Sequence, residues 1–151
     1  MPQYKDILQA IYDQLCEDLR SATSIADLTI SPGFPEQEIT EQNSATISLM
    51  EMATDFGNRD ASAVEMGSGI EWGIEVRLAP PEDPADQPLW EKINVLDAFT
   101  ALIETSGGLY AGYGMWPRVS RAILNLDDQL DEHQMLFQMQ VSMVLTKRYG
   151  T

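Results

Sequence analysis

IEWGIEVRL, residues 70–78, decides the fold. Ile70, Trp72, Ile74, Val76 and Leu78 fall on one parity; Glu71, Gly73, Glu75 and Arg77 fall on the other. A strand sends alternate side chains to opposite faces, so this spacing predicts a β-strand with a dry side and a wet side. A helix would scatter the same five apolar residues around its circumference. Residues 137–145 alternate in the same way, with Phe137, Met139, Val141, Met143 and Leu145 set against Gln138, Gln140, Ser142 and Val144. Two amphipathic strands need a shared cover for their dry sides.

Two helical stretches can provide it. Tyr4, Ile7, Leu8, Ile11, Tyr12, Leu15 and Leu19 recur at spacings of three and four, which predicts a helix over 4–19. Asp6, Asp13, Glu17 and Asp18 are expected on its wet side, and Cys16 at the stripe's edge as a small core residue. The second helix is expected over 90–104, entered through Pro88. Its stripe reads Ile93, Leu96, Thr100 and Ile103, broadened by Val95, Phe99 and Leu102.

Further strands are expected at 45–52, with Ile47 and Leu49 inward and Thr46 and Ser48 outward, at 119–126 and at 135–147. The last two should pair as an antiparallel hairpin, because a short acidic turn joins them. Ile25, Leu28 and Ile30 fit either a short strand or loose packing within the acidic stretch 21–43. The glycines in 55–69 make that stretch a flexible arm, and APPEDPADQP, 79–88, a stiff solvated connector. GGLYAGYGMWP, 107–117, reads as a glycine and aromatic loop. Strands interleaved with only two helices predict an α+β fold, a mostly antiparallel sheet with two main helices packed on one face. The expected core is Ile7, Leu8, Ile11, Leu15, Trp72, Ile74, Val76, Ile93, Leu96, Phe99, Phe137, Val141 and Leu145.

Residues 1–151 fit a single domain, large enough to bury a core without metals or disulfides. Nine Lys and Arg stand against 24 Asp and Glu, for a formal net charge of −15. That balance repels nucleic-acid phosphates and anionic membranes. Cys16 is the only cysteine, so no intrachain disulfide can form. No run approaches the roughly 20 apolar residues of a membrane span.

Catalytic motifs are scarce. His133 is the single histidine, among Asp131 and Glu132, with no nucleophile beside it in sequence. The glycines at 107, 108, 112 and 114 follow a helix, where a phosphate loop precedes one, and no lysine follows them. Asp127, Asp128, Asp131 and Glu132 lack calcium-loop spacing and its turn glycine. No catalytic activity, cofactor or metal is expected.

Contacts between chains are better represented. Tyr110, Tyr113, Met115 and Trp116 cluster where aromatics and methionine could sit at an interface centre, or could fold back over the core. Arg118, Arg121, Lys147 and Arg148 put four of the nine basic residues in or beside the last hairpin. They fit contact with an acidic surface on another copy, or solvated edge-strand charges.

The order is helix, strand, arm, strand, Pro-rich connector, helix, loop and hairpin. In that order the chain resembles the tail terminator, or tail completion, proteins of long-tailed bacteriophages. The residues carrying the likeness are IEWGIEVRLAPP (70–81), WEKINVLDAFTALIE (90–104) and LDEHQMLFQMQVSMVLTKRY (130–149), with the N-terminal helix. The resemblance implies a virion protein, assembled in the bacterial host cytoplasm, that closes into a homo-oligomeric, hexameric ring on the head-proximal end of the tail tube. Such a ring stops tube polymerisation, contacts the tail tube protein and the head–tail connector, and lets DNA pass without specific binding. Tyr113, Met115, Trp116, Arg118, Arg121 and Arg148 are then the subunit-interface candidates. Glu82, Asp83, Asp86, Asp127, Asp128 and Asp131 are the candidates to line the channel or meet a basic neighbour. A head-completion or stopper protein and an acidic DNA mimic are the competing expectations.

Overall fold

The computed structural model describes residues 3–33, 43–54, 65–79, 88–105, 108–124 and 135–148. In chain order these form α1 (Tyr4–Thr23), β1 (Thr29–Pro32), β2 (Ser44–Thr54), β3 (Glu65–Leu78), α2 (Pro88–Glu104), β4 (Gly114–Ile123) and β5 (Met135–Arg148). The five strands make one sheet in the order β1-β2-β3-β5-β4. Only β1 and β2 run parallel; every other pairing is antiparallel. The fold is the expected α+β arrangement.

The parity reading holds at the centre. Ile70, Trp72, Ile74, Val76 and Leu78 are all buried, and so are Met135, Phe137, Met139, Val141, Met143 and Leu145. The register sets Trp72 opposite Val141, Ile74 opposite Met139 and Val76 opposite Phe137, so both dry sides share one face. α1 and α2 pack on each other there, α2 also meeting β4 and β5 and α1 meeting β2. Ile7, Ile11, Leu15, Cys16 and Leu19 are the buried side of α1. Its end is closed by Ser24, at φ 57° in the left-handed region, and by Ile25 N–H donating back to the Arg20 carbonyl.

Several expectations need correction. Asp18 is buried, at 8% exposure, rather than on the wet side of α1. α2 turns a different stripe inward: Lys92, Val95, Phe99 and Ile103 are buried, Leu96 is partly covered, and Ile93 stays outside the core cluster. The reason is that α2 is apolar on most of its circumference, so periodicity cannot select a face. Its outward positions include Trp90, Ala98, Ala101 and Leu102. Lys92 takes a core position because its stem is aliphatic and its Nζ donates to the Leu124 carbonyl at 2.8 Å.

β3 begins at Glu65, five residues before Ile70, and pairs residue by residue with the end of β5. β4 begins at Gly114, inside the stretch read as a loop. Pro117 is tolerated because β4 is an edge strand with register shifts between Met115 and Arg118 and between Val119 and Arg121. Leu49, expected inward, is 38% exposed, and Thr46, expected outward, is buried. The segment between Ile25 and Ile30 contributes only its end to a strand, β1.

Phe99 has no exposed surface. Phe99→Ala is expected to cost about 3–5 kcal/mol in urea unfolding, and Leu96→Ala less than the roughly 2–5 kcal/mol of a fully buried leucine. Ile93→Ala should change stability by under about 1 kcal/mol. A larger loss at Ile93 than at Phe99 would contradict this orientation of α2.

Candidate functional site

The second face of the sheet carries no helix among the described residues. Its side chains stand in rows, because paired residues on neighbouring strands share a face. One row runs Glu51, Glu71, Ser142, Arg118 across β2, β3, β5 and β4. A flanking row runs Ala53, Gly69, Val144, Met115, and on the other side Ser48 and Gly73 lead to Gln140 and Arg121. Exposure is graded along β2. Glu51 and Ala53 are exposed, Ser48 is half-buried, and Thr46 and Ser44 are buried. The accessible end of the face is therefore the end holding Ala53 and Trp116.

Two register shifts in the flanking strands shape this surface. In β2 the shift between Leu49 and Glu51 brings Met50 over Gly73. A Cβ built on Gly73 would lie 2.5 Å from the Met50 sulfur, so only glycine leaves that side chain its place. In β4 the shift between Met115 and Arg118 holds Trp116 at φ 52°. A bulky residue at positive φ is strained by about 1–3 kcal/mol. Trp116 is 74% exposed. It lines a hollow of about 530 Å³ together with Glu51, Ala53, Gly69, Glu71, Arg118 and Ser142.

The turn before β4 is anchored from below. Ala111 and Gly112 both take positive φ, 51° and 83°, and Tyr110 and Gly114 exchange backbone hydrogen bonds at 2.7 and 2.9 Å. Positive φ at both central residues is the requirement of a tight type I′ turn. Tyr110 is buried, and its hydroxyl donates to Asp18 Oδ2 at 2.5 Å. Gln14 Nε2 donates to the other carboxylate oxygen at 3.0 Å. Burial, and then the hydrogen bond and charge of Asp18, hold the Tyr110 pKa well above its ordinary value. Nearby on α1, burial pushes the Tyr12 hydroxyl up to about 12, with Cys16 adding to the rise, and burial likewise raises the Cys16 thiol. A buried thiol held protonated is a poor nucleophile.

Of the six interface candidates, Met115, Trp116, Arg118 and Arg121 come together on β4 on the side of the sheet opposite the helices. Tyr113 is half-buried and packs against the core. Arg148 closes β5 with its backbone opposite Glu65. The channel candidates Glu82, Asp83, Asp86, Asp127, Asp128 and Asp131, and also His133, lie outside the described residues.

No protein-family model matches the sequence, and no curated protein matches it.

The described residues hold no group of three or more His, Cys, Asp or Glu side chains arranged for a metal. None of their helices is long and apolar enough to cross a membrane. Glu51, Glu71 and Gly69 are the surface residues that sequence reasoning missed. A signal was present, because Glu71 and Gly69 sit on the wet parity of β3, but the bulge that brings Glu51 opposite Glu71 has no sequence signature.

Tyr110→Phe removes the donor from a buried carboxylate and is expected to cost about 1.5–3 kcal/mol in urea unfolding at neutral pH. The folded hydroxyl keeps its proton above the unfolded pKa of about 10, so its contribution is full below that pH and declines as pH rises past it. The difference between wild type and Tyr110→Phe should therefore shrink above about pH 10. A difference that grows there would reverse the assignment.

Proposed function

We propose that the chain is a tail-terminator-like virion protein of a long-tailed phage, forming a ring at the head-proximal end of the tail tube. The observation that carries this reading is the edge of the sheet at β4. Trp116 stands mostly in solvent there, and Arg118 and Arg121 are exposed on a chain of net charge −15. Among the described residues no carboxylate forms a salt bridge with either arginine. A protruding aromatic flanked by exposed arginines is the composition of an interface centre. Pro117 and the register shifts make β4 a poor template for another strand, so contact through its side chains is favoured over sheet extension.

In this reading Arg118 and Arg121 face an adjoining subunit or the tube protein. Ring closure repeats one contact between unlike patches around an axis. The acidic balance keeps DNA phosphates from adhering as the duplex passes. The finer expectations are a six-fold ring, connector contact and an acidic lumen, and they belong to the same proposal. A DNA mimic needs carboxylates spaced like phosphates, whereas Arg118 and Arg121 share their face with Glu51 and Glu71.

The test adds purified protein to growing tail tubes and examines the ends by electron microscopy. Wild type should cap one end and stop growth. Arg121→Glu should cap about tenfold less efficiently without a lower melting temperature, since exposed pairs contribute little to the fold. Capping should weaken as salt rises above about 0.1 M, where exposed charges are screened within about 10 Å. Tubes that grow unchanged with wild-type protein present would refute the proposal.

A further inference from the structure

The face opposite the helices divides into two unlike halves. On the β2–β3 half, Glu51 and Glu71 stand directly opposite each other beside Gly69. Like charges so placed repel. On the β5–β4 half stand Arg118, Arg121 and the protruding Trp116, with no carboxylate of the described residues in a salt bridge to either arginine. One half is acidic and floored by glycine; the other is basic and raised.

A single operation satisfies both. We propose that the free chain forms a two-fold dimer through the face opposite the helices, about an axis parallel to the strands and midway between β3 and β5. Rotation about that axis keeps height along the strands and exchanges the two sides of the sheet. It sets Arg118 over Glu51 of the second copy and lowers Trp116 toward the hollow beside Gly69 of the second copy. Each contact occurs twice. The two halves look in the same direction, so the rotation that joins them is a two-fold. Patches that close a larger ring must look in different directions.

The dimensions permit it. Stacked sheets pack about 10 Å apart with strands within about 30° of each other. β2 and β4 lie about 7 Å from the axis, so that angle displaces facing residues by about 4 Å, within the reach of an arginine. A patch four strands wide and about 20 Å long falls below the roughly 800 Å² per partner of a standard interface. The dimer should therefore be reversible, dissociating in the micromolar range. It occupies the arginines that the ring reading assigns to neighbours, so dimer and ring are alternative states. The dimer does not rest on that reading, and its assay contains no tail tubes, so the two fail separately.

The test is sedimentation equilibrium of the full chain from about 1 μM to about 0.5 mM. A monomer–dimer equilibrium is expected. Arg118→Glu and Glu51→Arg should each weaken it by about tenfold or more, because two symmetry-related contacts change at once. The double variant Arg118→Glu with Glu51→Arg should return to within about threefold of wild type, as expected when two coupled changes offset. Gly69→Val supplies an independent arm. A Cβ at Gly69 meets nothing within 4 Å among the described residues, so the melting transition should be retained while the dimer is lost. A monomer throughout the range would overturn the proposal. So would a dimer indifferent to Gly69→Val and to both charge reversals, or a double variant no tighter than the single ones.

Discussion

β3 and β5 pair over fourteen residues with no register shift, and the rest of the molecule depends on that straight seam. The pairing is in phase: the dry parity of β3 meets the dry parity of β5 at every step from Ile70 and Met143 to Leu78 and Met135. A slip of one residue would carry Phe137, Val141 and Leu145 to the wet side and leave the helices nothing to cover. Register is thus set by burial from Ile70 to Leu78 on β3 and from Met135 to Met143 on β5. The irregularities fall outside it, in β2 and β4, where the backbone bends and side chains are re-aimed.

This division of labour links packing to surface chemistry. The helices take the dry side, and the carboxylate of Asp18 is drawn inside with them because Tyr110 and Gln14 satisfy its oxygens. That bond ties the turn at 110–114 to α1, and the turn in turn launches β4. The strained Trp116 therefore rises from an anchored base. At its accessible end the wet side is left with Glu51 and Glu71 on β2 and β3 and arginines on β4, separated by the uncharged Gln140 and Ser142 of β5, while farther along β3 Arg77 is neutralised by Glu75 at 3.2 Å. Ser142 and Ser120 hydroxyls bond at 2.9 Å within that neutral band.

The sheet's centre was legible because β3 and β5 are each dry on one side only, and strict alternation has one strand reading. α1 was legible for the matching reason at period 3.6. α2 was legible as a helix but not in its rotation, since Ile93, Leu96 and Leu102 compete with Val95 and Phe99, and a lysine was not credited with a core place. β4 was hidden by its own chemistry. Gly112, Gly114 and Pro117 signal a break, and only pairing with β5, Gly114 opposite Leu145 and Arg118 opposite Ser142, overrides them. The arginine part of the surface was found through its charge against an acidic background. The acidic part was not, because a bulge decides which β2 residue faces Glu71.

β5 lies inside the sheet, between β3 and the edge strand β4, yet follows every other described element in chain order. While the chain is being synthesised, β4 has no strand to join and β3 has only β2. The apolar sides of β3 and α2 are complete well before their central neighbour leaves the ribosome. Elongation at about 5–20 residues per second gives such surfaces seconds of exposure, during which unpaired strand edges invite aggregation. The sheet can close only in a late, collective step, with β5 inserted between two strands made earlier. A nascent chain of this design needs shelter until β5 emerges, and loss of that strand would take an inner strand and its core side chains from the sheet rather than trim its margin.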